Sequence, residues 1–223
     1  MPEQTVVHLV RHGEVNNPEG VLYGRLPGFQ LTERGERMAD RLAAHFAGMP
    51  ITYLASSPLE RARQTIAPIA AKFPHLAIDI QPLVIEAAND FEGEVFGRGN
   101  KALRDPRKWW RLRNPLLPSW GEPYQEVAER MLLAVHEAAE AIGPGRQGII
   151  VSHQLPIWIT RLHVEGRRLP HDPRRRRCTL ASVTSLHLVG GRVVRVEYAE
   201  PAIDLIPPKD RTMNLSVAGG SSA

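Results

Sequence analysis

The chain alternates between short apolar, β-branched runs and longer stretches with helical spacing. Thr5–Val10 reads as a buried strand. A loop rich in Gly, Pro and Asn follows, from Gly13 to Gln30. Thr32 is placed to cap a helix running to about Phe46 and closed by Gly48. Ile51–Ala55 predicts the second strand. Ser57-Pro58-Leu59-Glu60 predicts a helix start, with Ser57 as cap, Pro58 in the first helical position and Glu60 reaching back; that helix should run to about Lys72. Ala77–Val84 predicts a third strand, Glu122–Ile142 an amphipathic helix, Gly148–Val151 a short buried strand, and Leu155–Val164 a helix with Pro156 in its first turn. Ser182–Val189 and Arg192–Tyr198, joined by Gly190-Gly191, predict a hairpin.

Strand and helix in alternation imply an α/β fold of three layers, a mostly parallel central sheet with helices on both faces. Residues 1–205 are expected to form a single domain. Asn89–Gly121 departs from the alternation: it holds Pro106, Pro115 and Pro118 and Trp109, Trp110 and Trp120. It reads as an inserted lid, with Trp109 and Trp110 anchoring it to the domain. The tail 206–223 is Pro-rich and then Gly/Ser-rich, and is expected to be disordered.

Composition narrows the function classes. Among 223 residues, 28 Lys and Arg face 24 Asp and Glu, a net charge of +4. That excess suits an anionic substrate but falls short of a nucleic-acid footprint. Much of it lies in the run Arg174–Arg177, which reads as a solvated loop. The single cysteine, Cys178, excludes an internal disulfide and points to a reducing, cytoplasmic setting. No apolar run is long enough for a membrane span, and the N-terminus does not read as a signal peptide.

The candidate chemistry gathers where strands end. Arg11-His12-Gly13 follows the first strand, Arg61 lies in the first turn of the helix after the second, Glu86 follows the third, and His153 follows Gly148–Val151. In open α/β sheets, ligands bind beyond the carboxyl ends of the strands. Arginine forks match phosphate oxygens two at a time. A neutral imidazole is a competent nucleophile near neutral pH. Gly13 lets backbone approach a ligand closely, and helix openings near Ser57-Pro58 and Gln154–Pro156 favour an anion. A desolvated Glu86 could protonate a leaving alkoxide. His8, His45, His136, His163 and His187 fall on regular elements and read as structural, and Cys178 has no partner that would make it a nucleophile.

Three blocks carry a resemblance: Leu9-Val10-Arg11-His12-Gly13-Glu14, Ser56-Ser57-Pro58-Leu59-Glu60-Arg61-Ala62 and Val151-Ser152-His153, with Leu31-Thr32-Glu33-Arg34-Gly35 between the first two. Over residues from about 5 to 165 the chain resembles the histidine phosphatase (phosphoglycerate mutase-like) superfamily. The resemblance implies that His12 is the nucleophile that becomes phosphohistidine, and that Arg11, Arg61 and His153 hold the phosphate. It implies that Glu86 donates a proton and then activates water, with no metal or other cofactor. Asn17, Tyr23, Gly24, Arg25 and Gln154 complete the candidate substrate-binding set. The chain departs from the family pattern in two places. Pro18 stands where an Asn is common, leaving Asn17 one residue short, and Glu86 precedes Gly93 by seven residues where eight is usual, which leaves Asp90 and Glu92 open as the acid.

The expected activity is hydrolysis of a small-molecule phosphomonoester through phospho-His12. The mutase branch carries a Trp-containing stretch after its first block, whereas this chain has Tyr23-Gly24-Arg25-Leu26-Pro27-Gly28-Phe29. The alternatives are a phosphoglycerate-mutase-type isomerase and a non-catalytic phospho-ligand binding module. The expected partner is a small phosphorylated metabolite, with neither nucleic acid nor membrane. The hairpin Ser182–Tyr198 offers an edge at which a homodimer could form.

Overall fold

In a computed structural model of the chain, the structure describes residues 3–95 and 121–208. Strands β1 (Thr5–Arg11), β2 (Ile51–Ser56), β3 (Ile78–Ile80), β4 (Gln147–Ser152), β5 (Val183–Val189) and β6 (Arg192–Ala199) form one sheet in the order β3-β2-β4-β1-β5-β6. From β3 to β1 all neighbours are parallel; β5 runs antiparallel to β1, and β6 antiparallel to β5. The helices among the described residues are α1 (Glu33–Phe46), α2 (Glu60–Ala70), α3 (Tyr124–Ile142) and α4 (Gln154–Val164).

Alternation along the strands decides which helices cover which face. Val7, Leu9, Ala55 and Ile150 point to the side packed by α3 and α4. Val10, Leu54, Ile149 and Val151 point to the side packed by α1 and α2. Ile149 and Ile150 are adjacent on β4 yet 0% and 1% exposed, which requires cover on both faces. The α/β expectation of helices on both faces of a mostly parallel sheet is met, with the terminal hairpin supplying the antiparallel edge.

Local chemistry explains the boundaries. Thr32 caps α1 by accepting from the Gly35 N–H at 3.0 Å, and its hydroxyl donates to the Glu14 carboxylate at 2.6 Å. Arg34 binds the same carboxylate. The turn after Arg11-His12-Gly13 is thereby tied to the start of α1. The contact is close: a Cβ on Gly35 would stand 2.1 Å from the Glu14 carbonyl oxygen, and one on Gly13 would stand 2.6 Å from that of Gly35.

Two expectations need correction. The second helix begins at Glu60, not at Ser57-Pro58. Leu59 occupies the cap position with no side-chain bond, Ser57 Oγ accepts from the Leu59 N–H at 3.4 Å and also pairs with His153, and the Glu60 carboxylate accepts from the Gly28 N–H instead of reaching back. The third strand is only three residues long. Pro82 lacks an N–H for the ladder, the Gln81 side chain accepts from the Leu83 N–H, and Pro82–Val84 winds into a 3-10 turn. That turn swings the chain toward the end of β4, where Ser152 Oγ donates to the Val84 carbonyl at 2.6 Å. Within the expected lid, residues 96–120 lie outside the described residues, and so do Trp109, Trp110 and Trp120. So does the tail from 209 onward; Ile206, just before it, is buried against the α1 face.

Candidate active site

Register places the chemistry. Arg11 pairs with Ser152 across β1 and β4, and Ser56 with Val151 across β2 and β4. The residues that follow, His12, His153 and Ser57, therefore leave three neighbouring strands at one level. The backbone carries the alignment one step further: the His12 N–H donates to the Ser152 carbonyl at 3.1 Å, and the Ser57 N–H to the Val151 carbonyl at 2.9 Å. Gly13 N–H donates to Thr65 Oγ1 on α2 at 3.0 Å.

The His12 and His153 rings are both buried, with centroids 5.2 Å apart. His12 Nδ1 lies 2.8 Å from the Gly13 carbonyl oxygen. A carbonyl can only accept, so Nδ1 carries the proton and Nε2 keeps its lone pair. Burial, then the positive charges of Arg61 and Arg11, hold the His12 pKa well below its ordinary value, so the ring is neutral at neutral pH. Burial, Arg61 and His12 act the same way on His153, whose Nε2 is 2.7 Å from Ser57 Oγ.

The two arginines are held from behind. Arg11 Nη1 donates to the Cys178 carbonyl at 2.6 Å. Arg61 Nη2 donates to the Gly24 carbonyl at 2.6 Å, and its guanidinium lies 4.8 Å over the Tyr23 ring. Among the described residues, Arg11 Nε, Arg61 Nε and His153 Nδ1 are buried polar atoms with no partner. Buried polar atoms are normally paired. The two arginine Nε–H groups, on guanidiniums whose charge bears on His12, and His153 Nδ1 in the tautomer that protonates it, fit an oxyanion with several acceptor atoms. The start of α4 has no side-chain cap and adjoins His153, which adds a helix N-terminus to the same place.

Glu86 lies on the segment after the 3-10 turn and is only partly exposed. Its Oε1 accepts from the Ala87 N–H at 2.9 Å. Burial pushes its carboxyl pKa up, against the opposing pull of that bond and of Arg61, Arg176 and Arg11. The segment is pinned from outside. Arg130 donates to the Leu83 and Ile85 carbonyls and pairs with Glu122, and Glu122 accepts from the Ala88 N–H. Burial is the largest single influence on Glu122 and would raise its pKa, but the bond and charge of Arg130, the Ala88 N–H and the charge of Arg25 together outweigh it and hold the carboxyl below its ordinary range. Of the other two carboxylates, Asp90 is exposed, and Glu92 packs against Gly24 and bears on Arg61 less strongly than Glu86 does.

The structure brings Arg11, His12, Arg61, Glu86 and His153 together. Tyr23 and Gly24 form the support of Arg61. Asn17 turns its amide into its own loop, donating to the Val21 carbonyl at 2.9 Å and accepting from the Val21 N–H at 3.0 Å. Arg25 grips the acid segment, with Nε 2.7 Å from the Glu86 carbonyl and Nη2 2.8 Å from Glu122 Oε2. Gln154 is buried, its Nε2 3.4 Å from the Cys178 carbonyl. Sequence reading missed Arg176. Arg174, Arg175 and Arg177 are exposed as expected of a solvated loop, but Arg176 turns inward to Gln154 and His171. Asp172-Pro173 was the available signal: it starts a 3-10 turn, Pro173–Arg175, after which the next side chain leaves in a new direction. Among the described residues, no group of three His, Cys, Asp or Glu could hold a metal ion, and no helix is long and apolar enough to cross a membrane.

Comparisons with known proteins identify the family and the fold. The family model of the histidine phosphatase superfamily (branch 1) matches residues 7–201. An uncharacterized protein of Mycobacterium tuberculosis (strain H37Rv) is 55% identical over 202 residues, covering 91% of this chain and 99% of that protein. A Cronobacter sakazakii protein named as a probable phosphoglycerate mutase is 31% identical over 158 residues, 68% of this chain and 70% of its own length. Among solved structures, Bacillus stearothermophilus YhfR superposes with TM-score 0.73 at 24% identity, covering 89% of this chain and 99% of that one. A mycobacterial glucosyl-3-phosphoglycerate phosphatase superposes with TM-score 0.69 at 22% identity, covering 87% and 97%. At these identities the two structures show the shared fold.

Proposed function

This chain belongs to the histidine phosphatase superfamily, and on that premise we propose that it hydrolyses a small phosphomonoester in two steps through phospho-His12. In the first step His12 Nε2 attacks phosphorus, the bond from phosphorus to the ester oxygen breaks, and Glu86 gives its proton to the departing oxygen. In the second step the Glu86 carboxylate takes a proton from water as that water attacks the phosphohistidine. The N–P bond breaks, inorganic phosphate leaves, and neutral His12 and protonated Glu86 are restored. Arg11, Arg61 and His153 match the charge of the phosphoryl oxygens while it transfers.

The observation that carries this reading is the state of His12. Its Nδ1 proton is fixed on the Gly13 carbonyl, which leaves Nε2 as a lone pair beside two buried guanidiniums. The raised pKa of Glu86 suits an acid that must still hold its proton when the ester binds. A second reading, transfer of phosphate within one sugar acid, draws support from the mutase-named relative. The loop Tyr23–Phe29 favours hydrolysis, since it lacks the Trp-containing stretch of the mutase branch. Incubation with 3-phosphoglycerate and its 2-phospho isomer separates the two. Hydrolysis predicts free phosphate with no interconversion, whereas interconversion at retained phosphate would overturn it.

A further inference from the structure

We propose that Arg176 forms a second anion-binding position at this site, on the leaving-group side, and that the substrate therefore carries a carboxylate or a further phosphate beyond the phosphoryl group it loses. The proposal rests on the phosphoester reading above and narrows its substrate class. Nothing in the motif blocks points to Arg176; its placement does.

The chain builds that placement deliberately. The Asp172 carboxylate accepts from the Arg174 N–H at 3.0 Å, and Pro173 opens the 3-10 turn whose end delivers Arg176 inward. Arg176 Nε donates to His171 Nε2 at 2.8 Å. His171 Nδ1 lies 2.6 Å from the Leu169 carbonyl, so Nδ1 carries the proton and Nε2 is the acceptor that Arg176 requires. The His171 ring is fixed in turn by Tyr124, at 5.5 Å between centroids, and by Trp158, at 6.0 Å. Arg176 Nη1 lies 3.4 Å from Gln154 Oε1, and Gln154 shares the Cys178 carbonyl with Arg11. Arg176 is thus one side chain away from the arginine that faces His12.

Its neighbours say which side of the site it occupies: His171, which holds it, packs on Tyr124, two residues beyond Glu122, whose carboxylate accepts from the Ala88 N–H on the segment of Glu86. The charges agree. His12 feels Arg61 and Arg11 most, whereas Glu86 feels Arg61 and then Arg176 ahead of Arg11. Arg176 therefore lies toward the acid and the group it protonates. A guanidinium beside a general acid works against it, because it favours the carboxylate. An anion on the leaving group would offset that pull and would fit the planar arginine fork.

Equilibrium binding to the His12→Ala protein tests this without turnover. The probes are glycerol 3-phosphate, 3-phosphoglycerate, which adds a carboxylate, and propane-1,3-diol bisphosphate, which adds a phosphate. At least one of the two probes with a second anionic group is expected to bind about tenfold or more tightly than glycerol 3-phosphate. Arg176→Gln should bring that ratio close to one, and Arg177→Gln, on the exposed neighbour, should keep it. His171→Phe keeps a ring between Tyr124 and Trp158 but removes the acceptor, and should lower the ratio about threefold; it serves where Arg176→Gln fails to fold. A ratio near one in the parent, or a ratio that survives both substitutions, would overturn the proposal. Failure of the hydrolysis reading shows separately, as wild-type protein that binds these probes with the same preference but releases no phosphate.

Discussion

His12, His153 and Ser57 leave the ends of three neighbouring parallel strands, whereas Glu86 stands on a segment with neither strand nor helix of its own. The wall that carries His12 is set by main-chain ladders: β1 and β2 each pair with β4, and the pairing runs past the strand ends through the His12 and Ser57 amides. The wall that carries Glu86 is set by side chains. Arg130, Glu122 and Arg25 hold the backbone around residues 83–88 by its carbonyls and one amide. Backbone ladders fix a position through many cooperative bonds, and a loop held by three side chains can be loosened at any one of them. On the proposed mechanism, His12 should therefore respond to substitution as an all-or-nothing element, and Glu86 as an adjustable one.

The largest break should come at the first wall. His12→Ala is expected to lower turnover of any phosphomonoester at least about a thousandfold, with the circular dichroism spectrum and Tm close to those of the parent. Residual activity within tenfold of the parent would remove His12 from the chemistry.

The second effect is smaller and depends on the substrate. Glu86→Gln should lower kcat on an alkyl phosphate about a hundredfold or more. It should cost far less on p-nitrophenyl phosphate, whose leaving group departs without a proton. The pH dependence follows from the raised pKa of Glu86. The protonated acid persists to higher pH than an ordinary carboxyl, so kcat/KM for an alkyl ester stays high at low pH and falls as pH rises through that pKa. In Glu86→Gln that falling limb should disappear. A limb that persists unchanged assigns the acid to another group, with Glu92 the next to substitute.

The smallest effect sharpens the comparison most. Glu122→Gln removes the charge that Arg25 and Arg130 share while touching neither His12 nor Glu86. A loss of about threefold to tenfold on alkyl phosphates is expected, with p-nitrophenyl phosphate nearly unaffected. Equal losses on both substrates would mean that the network supports the whole fold and not the Glu86 wall in particular.

The same division governs what could be read from the sequence. Arg11-His12-Gly13, the Ser57–Arg61 block and Ser152-His153 are contiguous because each is one strand end, and β-branched runs announced those strands. Glu86 was found by its position after a strand, although that strand turned out to end early at Pro82. Its supports were not legible: Arg130 reaches Leu83 and Ile85, and Arg25 reaches Glu86, across long stretches of chain with no local pattern. The Ser57 hydroxyl has two roles: it accepts from the Leu59 N–H just before the helix, as a cap would, and it pairs with His153, which no local pattern announces. Arg176 was hidden inside a run of identical residues, where only the turn geometry distinguishes the inward one.

The central claim is a phosphoryl group on His12, and it can be caught directly. Protein mixed with a radiolabelled phosphomonoester is quenched in alkaline denaturant, digested, and mapped for the labelled peptide. The account predicts label that is stable in base and lost in acid, carried on the peptide containing His12, and missing from the His12→Ala protein. Label on another residue, or phosphate release at full rate with no such label at any quench time, would contradict it.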